Sequence, residues 1–174
     1  MNIIIEGPEA SGKTTLAQTI LDKYPYFEYN HATSKASNDY NYYKELLNKN
    51  YSLYDSFCIR ELVYHKIYNI RPAINIEEVH NLFNQCKENN NIFIILYSSN
   101  IDILKNRLKE RSGFNYLNDI ELQNRWFLSC AWNLSTNDYD RYFVVDIAKM
   151  KQINNLYNSL NKILSNKENK YDNK

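Results

Sequence analysis

The sequence predicts an α/β fold in which about five parallel strands lie between helices, and three observations predict it. Strand-like and helix-like apolar patterns alternate along the chain, the signature of a parallel sheet joined by right-handed crossovers. A short β-branched run over Asn2–Ile5 leads through a glycine-containing loop into a helical pattern, so the chain opens as strand, loop, helix. The run Ile92, Phe93, Ile94, Ile95, Leu96 shows no alternation, which suits a strand covered on both faces.

Each element follows in order. The first helix is expected from Thr14 to about Lys23, with Leu16, Ile20 and Leu21 on one face. Phe27–Asn30 reads as a second strand, Asn38–Asn50 as a helix carrying Tyr42, Tyr43, Leu46 and Leu47, and Tyr51–Asp55 as a third strand ending on an acid. A helix is expected from Arg60 to about Asn69 and, after Pro72 interrupts the pattern, another over Ile76–Asn89. The fourth strand spans Asn91–Ser98. An amphipathic helix over Ile101 to about Glu110 ends in a basic loop beside Gly113, and a further helix covers Asn118–Asn133. Arg141–Asp146 supplies a fifth strand and Met150–Leu164 a last helix. Residues 1–165 are thus expected to form one domain, and the polar stretch 166–174 a frayed tail.

The composition narrows function. With 21 Lys plus Arg against 20 Asp plus Glu the formal net charge is +1, so no global field argues for a nucleic-acid or membrane partner, and an anion must be gripped locally. No apolar stretch approaches the roughly 18 residues of a membrane span, and the strand that starts near Met1 leaves no room for a signal segment. Cys58, Cys86 and Cys130 are too few and too widely spaced for a disulfide framework or a zinc site, and are read as buried thiols in a reduced, cytoplasmic setting. His31, His65 and His80 lack metal spacing, and Trp126 and Trp132 are read as core.

The chemistry concentrates at the first loop. Gly7, four residues, then Gly12, Lys13 and Thr14 satisfy G-x-x-x-x-G-K-[ST] between a strand and a helix, the context that gives the motif its meaning. Glycines let the backbone wrap phosphate oxygens, and amides at a helix N-terminus face an anion with their donors and positive dipole end. Gly7, Ala10, Ser11, Gly12, Lys13, Thr14 and Thr15 are therefore the ATP-binding candidates, with Lys13 reaching the β- and γ-phosphates and Thr14 giving a hydroxyl to Mg²⁺. Asp55, at the carboxyl end of the third strand, is the candidate second Mg²⁺ ligand; a turn-forming strand-end Asp is the plainer reading. Arg107, Lys109 and Arg111 gather at the end of an amphipathic helix, where cations delivered to the equatorial oxygens would stabilise transfer, and Arg107 and Arg111 are the catalytic candidates beside Lys13.

The stretches "IIIEGPEASGKTTLA", "YYKELL" and "YDSFCIRELVYHKIY" together resemble the thymidylate kinase superfamily of P-loop kinases, in particular its short phage and viral members, over roughly residues 2–147. The resemblance implies phosphorylation of a nucleoside monophosphate such as dTMP with ATP and Mg²⁺, a lid carrying Arg107, Arg111 and Arg125, and an acceptor site holding Glu9 on the sugar 3′-hydroxyl and Tyr42 or Tyr43 against the base. A homodimer is left open. The family's Asp-Arg pair after the third strand is matched only by Asp55, because Ser56 stands where the arginine belongs. Arg60 and Arg71 are the replacement cations for the acceptor phosphate. Two other readings compete: a deoxynucleoside kinase, although Glu28 lacks the Glu-Pro pair such kinases carry, and a non-catalytic ATP-binding protein.

Overall fold

The computed structural model describes residues 1–31, 39–111, 116–134 and 138–171, with side chains described as far as Ser165. Along the chain run β1 (Ile3–Glu6), α1 (Lys13–Lys23), β2 (Glu28–Asn30), α2 (Tyr40–Asn48), β3 (Ser52–Asp55), α3 (Ile59–Tyr68), α4 (Ile76–Glu88), β4 (Ile92–Tyr97), α5 (Ile101–Glu110), α6 (Ile120–Leu134), β5 (Tyr142–Asp146) and α7 (Met150–Tyr171). The five strands form one parallel sheet in the order β2-β3-β1-β4-β5. All five predicted strands are present. α7 continues past the buried Leu164 to Tyr171, into the stretch where the sequence predicts a frayed tail.

Alternation within each strand sorts the core into two layers, because successive side chains leave opposite faces of the sheet. Ile4, Tyr54, Phe93 and Ile95 pack beneath α2, α3, α4 and α6, while Ile3, Ile5, Leu53, Ile92, Ile94 and Leu96 pack against α1 and α7. A smaller cluster of Ala10, Leu104, Leu108 and Ile120 seats the first loop on α5 and α6. The three cysteines are free and buried. Trp132 departs from the core reading: it is 73% exposed on α6.

Helix ends explain the entries into the layers. Asp39 accepts the Tyr42 amide at 3.0 Å to cap α2, and Asn75 with Glu78 forms a reciprocal capping box on α4. Since every strand is parallel, Glu6, Asn30, Asp55, Tyr97 and Asp146 end at the same edge of the sheet. Polar strand ends collected at one edge form the usual ligand-binding rim of such sheets.

Candidate functional site

The loop between β1 and α1 lies at that edge with the conformation its glycines permit. Gly7 has φ 150°, and a side chain there would stand 2.7 Å from the Leu96 carbonyl on the neighbouring strand. Gly12, at φ 90°, caps α1, and Ala10 is left-handed at φ 58°. The left-handed residues turn the chain sharply into α1, whose N-terminal amides are the anion-binding end of the helix.

Lys13 opens α1 and folds back over the loop, its ammonium donating to the carbonyls of Gly7 at 2.9 Å and Pro8 at 2.8 Å. Burial pulls its pKa below that of an ordinary lysine, against the opposing pull of Glu9, Asp55 and Glu6. Next to it, the Thr14 hydroxyl donates to Asp55 Oδ2 at 2.5 Å, and Tyr29 from β2 donates to the same oxygen at 3.1 Å. Burial and the adjoining carboxylate push Tyr29 up to about 12. Asp55 is 1% exposed, and its Oδ1 has no hydrogen-bond partner. A buried hard oxygen left unpaired beside a hydroxyl is a donor set that suits Mg²⁺, which takes one or two carboxylates and completes its shell with water and phosphate.

These groups line a cleft of about 100 Å³ between the loop and the start of α3, shared by Glu9, Lys13, Thr14, Asp55, Arg60 and Arg111. Arg60 is 8% exposed, and its Nε and Nη2 carry no hydrogen bond. The 3.5 Å separation of Arg60 Nε from Glu61 Oε1 is therefore an ion pair without a directed hydrogen bond. A second cleft of about 340 Å³ lies on the other side of Gly12, walled by Leu96, Val145, Ile153, Leu156 and Tyr157, with Arg107 and Arg111 at its mouth. Arg107 donates to the Ala10 carbonyl at 3.2 Å, and Arg111 borders both clefts.

Sequence-predicted residues thus fall into groups. Gly12, Lys13, Thr14, Thr15, Glu9, Ala10, Asp55, Arg60, Arg107 and Arg111 are brought together around the two clefts, with Gly7 and the buried Ser11 shaping the loop beneath them. Tyr43 is a correction: it is fully buried, edge-on to Phe57 at 5.0 Å, with its hydroxyl on Glu61, so no ring face is free for a base. Tyr42 is half-buried beside it and lines neither cleft; Arg71 and Lys109 are exposed and line neither. Arg125 is 73% exposed and pairs with Glu121 at 3.0 Å instead of joining Arg107. Residues 112–115, which hold Gly113 of the expected lid, lie outside the described residues.

Several participants went unnoticed in the sequence. Tyr64 donates to Glu9 Oε1 at 3.0 Å, and Gln123, fully buried on α6, accepts the Glu9 amide at 3.1 Å while its amide group reaches the Tyr68 hydroxyl at 3.4 Å. Burial and Glu9 push Tyr64 well above the ordinary tyrosine value. His31, at the end of β2, comes within 3.9 Å of Asp55. The i, i+4 spacing of Tyr64 and Tyr68 on α3 was the available signal, hidden among 16 tyrosines.

If Arg107 and Arg111 act on charge that develops during transfer, their removal weakens turnover more than nucleotide binding. Arg107→Ala and Arg111→Ala are each expected to lower kcat by about tenfold or more, while the ATP dissociation constant changes by less than about threefold. Parallel measurement of both constants checks this, and equal losses would mark the arginines as ground-state binders.

No protein-family model matches the sequence, and no curated protein matches it. Solved structures do align over nearly all of it. YorR protein from Bacillus subtilis, in complex with phosphorylated GDP, superposes with a TM-score of 0.78 at 15% identity, covering 97% of this chain and 98% of its own. A deoxyadenosine kinase from M. mycoides, with products dCMP and a flexible dCDP bound, gives 0.54 at 21% identity over 94% of this chain and 100% of its own. A gluconokinase from Sinorhizobium meliloti 1021 gives 0.53 at 12% identity over 99% and 96%. At these identities the likeness is one of architecture, and the architecture of this chain is that of the P-loop kinases: a five-stranded parallel sheet flanked by helices, with the phosphate loop following its central strand.

Proposed function

We propose that the protein is a nucleoside monophosphate kinase, transferring the γ-phosphoryl group of ATP to a (deoxy)nucleoside monophosphate, with dTMP or a related pyrimidine nucleotide as the first candidate. The observation that carries the acceptor assignment is Arg60: a buried guanidinium, ion-paired with Glu61 through Nε, whose Nε and Nη2 carry no hydrogen bond, and which shares a cleft with Lys13, Thr14 and Asp55. Buried donors left without acceptors are costly, and the guanidinium fork matches a phosphate. Ser56 leaves the expected arginine position without a cation, and Arg60 supplies one four residues on.

The chain's own residues then divide the work. The loop amides and Lys13 hold the β- and γ-phosphates, and the cleft behind Gly12, apolar on its β4, β5 and α7 side, takes the adenosine. Asp55 and Thr14 would hold Mg²⁺, which supplies charge neutralisation on the phosphate oxygens when bound. Arg60 orients the acceptor phosphate, whose oxygen forms a bond to the γ-phosphorus as the bond to the β,γ-bridging oxygen breaks and ADP leaves. An acceptor phosphate is already ionised near neutral pH, so no general base is needed. Arg107 and Arg111 face the transferring group from the ATP side. Glu9, held by Tyr64 and Gln123, is placed for a sugar hydroxyl. Placement in a reduced cytoplasm, a viral origin and a homodimer rest on the sequence reading alone. Among the described residues, no helix is long and apolar enough to cross a membrane.

A deoxynucleoside kinase is the second reading, favoured by the superposition on a deoxyadenosine kinase. Arg60→Ala separates the two. The monophosphate reading expects its KM for the monophosphate to rise by about ten- to a hundredfold, the worth of one or two hydrogen bonds to a charged group, with the KM for ATP nearly unchanged. A silent Arg60→Ala would mean an acceptor without a phosphate to hold.

A further inference from the structure

Glu6 is the last residue of β1, immediately before the phosphate loop, and it is fully buried. It points to the α3 face of the sheet, as Ile4 does, whereas Asp55 lies on the α1 face with Leu53. Its Oε1 accepts the backbone amide of Ile59, the first residue of α3, at 2.7 Å. That amide is one of the four that a helix N-terminus leaves without an internal partner. Cys58, at the N-cap position, offers no side-chain bond, so α3 is capped from another strand.

The capped helix carries the acceptor side. Arg60 follows Ile59 directly, and Tyr64, the partner of Glu9, lies one turn further on. We infer that Glu6 is a positioning residue, tying the N-terminus of α3 to the strand that presents the phosphate loop and so setting Arg60 and Tyr64 in register with Lys13. This rests on the reading of Arg60 as the acceptor-phosphate ligand.

The role belongs to the hydrogen bond and not to the charge. Burial pushes the Glu6 carboxyl up to about 7, against the opposing pull of the Ile59 and Phe57 amides and of Arg60 and Lys13. Charged and neutral forms therefore coexist near neutral pH, and either keeps an acceptor lone pair for the amide. The other groups that face Glu6 electrostatically, Cys58, Cys130 and Tyr43, are themselves raised by burial and stay neutral there. The second oxygen, Oε2, has no hydrogen-bond partner, so a glutamine keeps the geometry at Oε1.

The test compares Glu6→Gln, which retains the acceptor oxygen, with Glu6→Leu, which keeps the bulk and loses it. Backbone hydrogen exchange over Phe57–Glu61 and the KM values for ATP and for the monophosphate are measured on the full chain. Glu6→Leu is expected to speed exchange over that segment and raise the monophosphate KM about tenfold with the ATP constant nearly unchanged, while Glu6→Gln stays within about threefold of the parent on all counts. Unchanged exchange in Glu6→Leu, or equal loss for both substrates, or a glutamine variant as impaired as the leucine one, would overturn the inference. If Glu6→Leu does not fold, Glu6→Asp withdraws the oxygens by one methylene and is expected to speed exchange over Phe57–Glu61 and raise the monophosphate KM relative to both the parent and Glu6→Gln; a wild-type result overturns the inference. Should Arg60→Ala prove silent, the monophosphate reading fails separately, and the exchange comparison still decides whether Glu6 holds the helix.

Discussion

Lys13→Ala is expected to reduce kcat by at least about a hundredfold and to leave the fold intact. Removing one preorganised donor aimed at developing charge costs about 2.7–4 kcal/mol of transition-state stabilisation, and Lys13 is the cation of the loop itself. Its ammonium bridges the Gly7 and Pro8 carbonyls, and the substitution removes no apolar core side chain, so the loss is electrostatic. Circular dichroism and melting temperature are expected to match the parent. Burial lowers the Lys13 pKa, so the cationic form that the proposed phosphate contact requires is lost at a lower pH than an ordinary lysine would allow. The alkaline limb of kcat/KM is expected to reflect this. A variant retaining more than about a tenth of the parent rate contradicts the phosphate-loop mechanism.

Asp55→Asn is the second large effect. The amide oxygen can still accept from Thr14 and Tyr29, so packing at this buried position survives. It is a poor ligand for a hard cation, and neutralising it leaves phosphate charge uncompensated. We expect nucleotide binding to persist, the Mg²⁺ concentration for half-maximal rate to rise by about tenfold or more, and kcat to fall by about a hundredfold. A magnesium titration of both proteins checks this, and superimposable curves would reduce Asp55 to a turn residue.

Much of the frame was legible from residue patterns. Ile92–Leu96 could be read as a covered strand because a central parallel strand is apolar on both faces, and it pairs with β1 and β5. The loop between β1 and α1 was legible as a motif because its glycines and lysine stand at fixed spacing between a strand and a helix. Counting cations near Ser56 picks out Arg60, which lines the cleft beside Lys13 and Asp55. What stayed hidden depends on long-range contact. Glu6 reads as one more strand-end acid until Ile59, 53 residues away, is seen on its carboxylate. Gln123 lies 114 residues from the Glu9 amide it accepts. Tyr42 and Tyr43 differ by one helical step, about 100° around the axis, and which of them faces the core was settled by packing on Phe57.

The central claim, transfer from ATP to a phosphorylated acceptor, is tested most directly by incubating the protein with γ-labelled ATP, Mg²⁺ and each common nucleoside and nucleoside monophosphate in turn. The account predicts labelled diphosphate from at least one monophosphate, foremost a pyrimidine deoxynucleotide, with no labelled product from nucleosides. Labelled monophosphate from a nucleoside, or ATP bound without transfer to any acceptor, would contradict it.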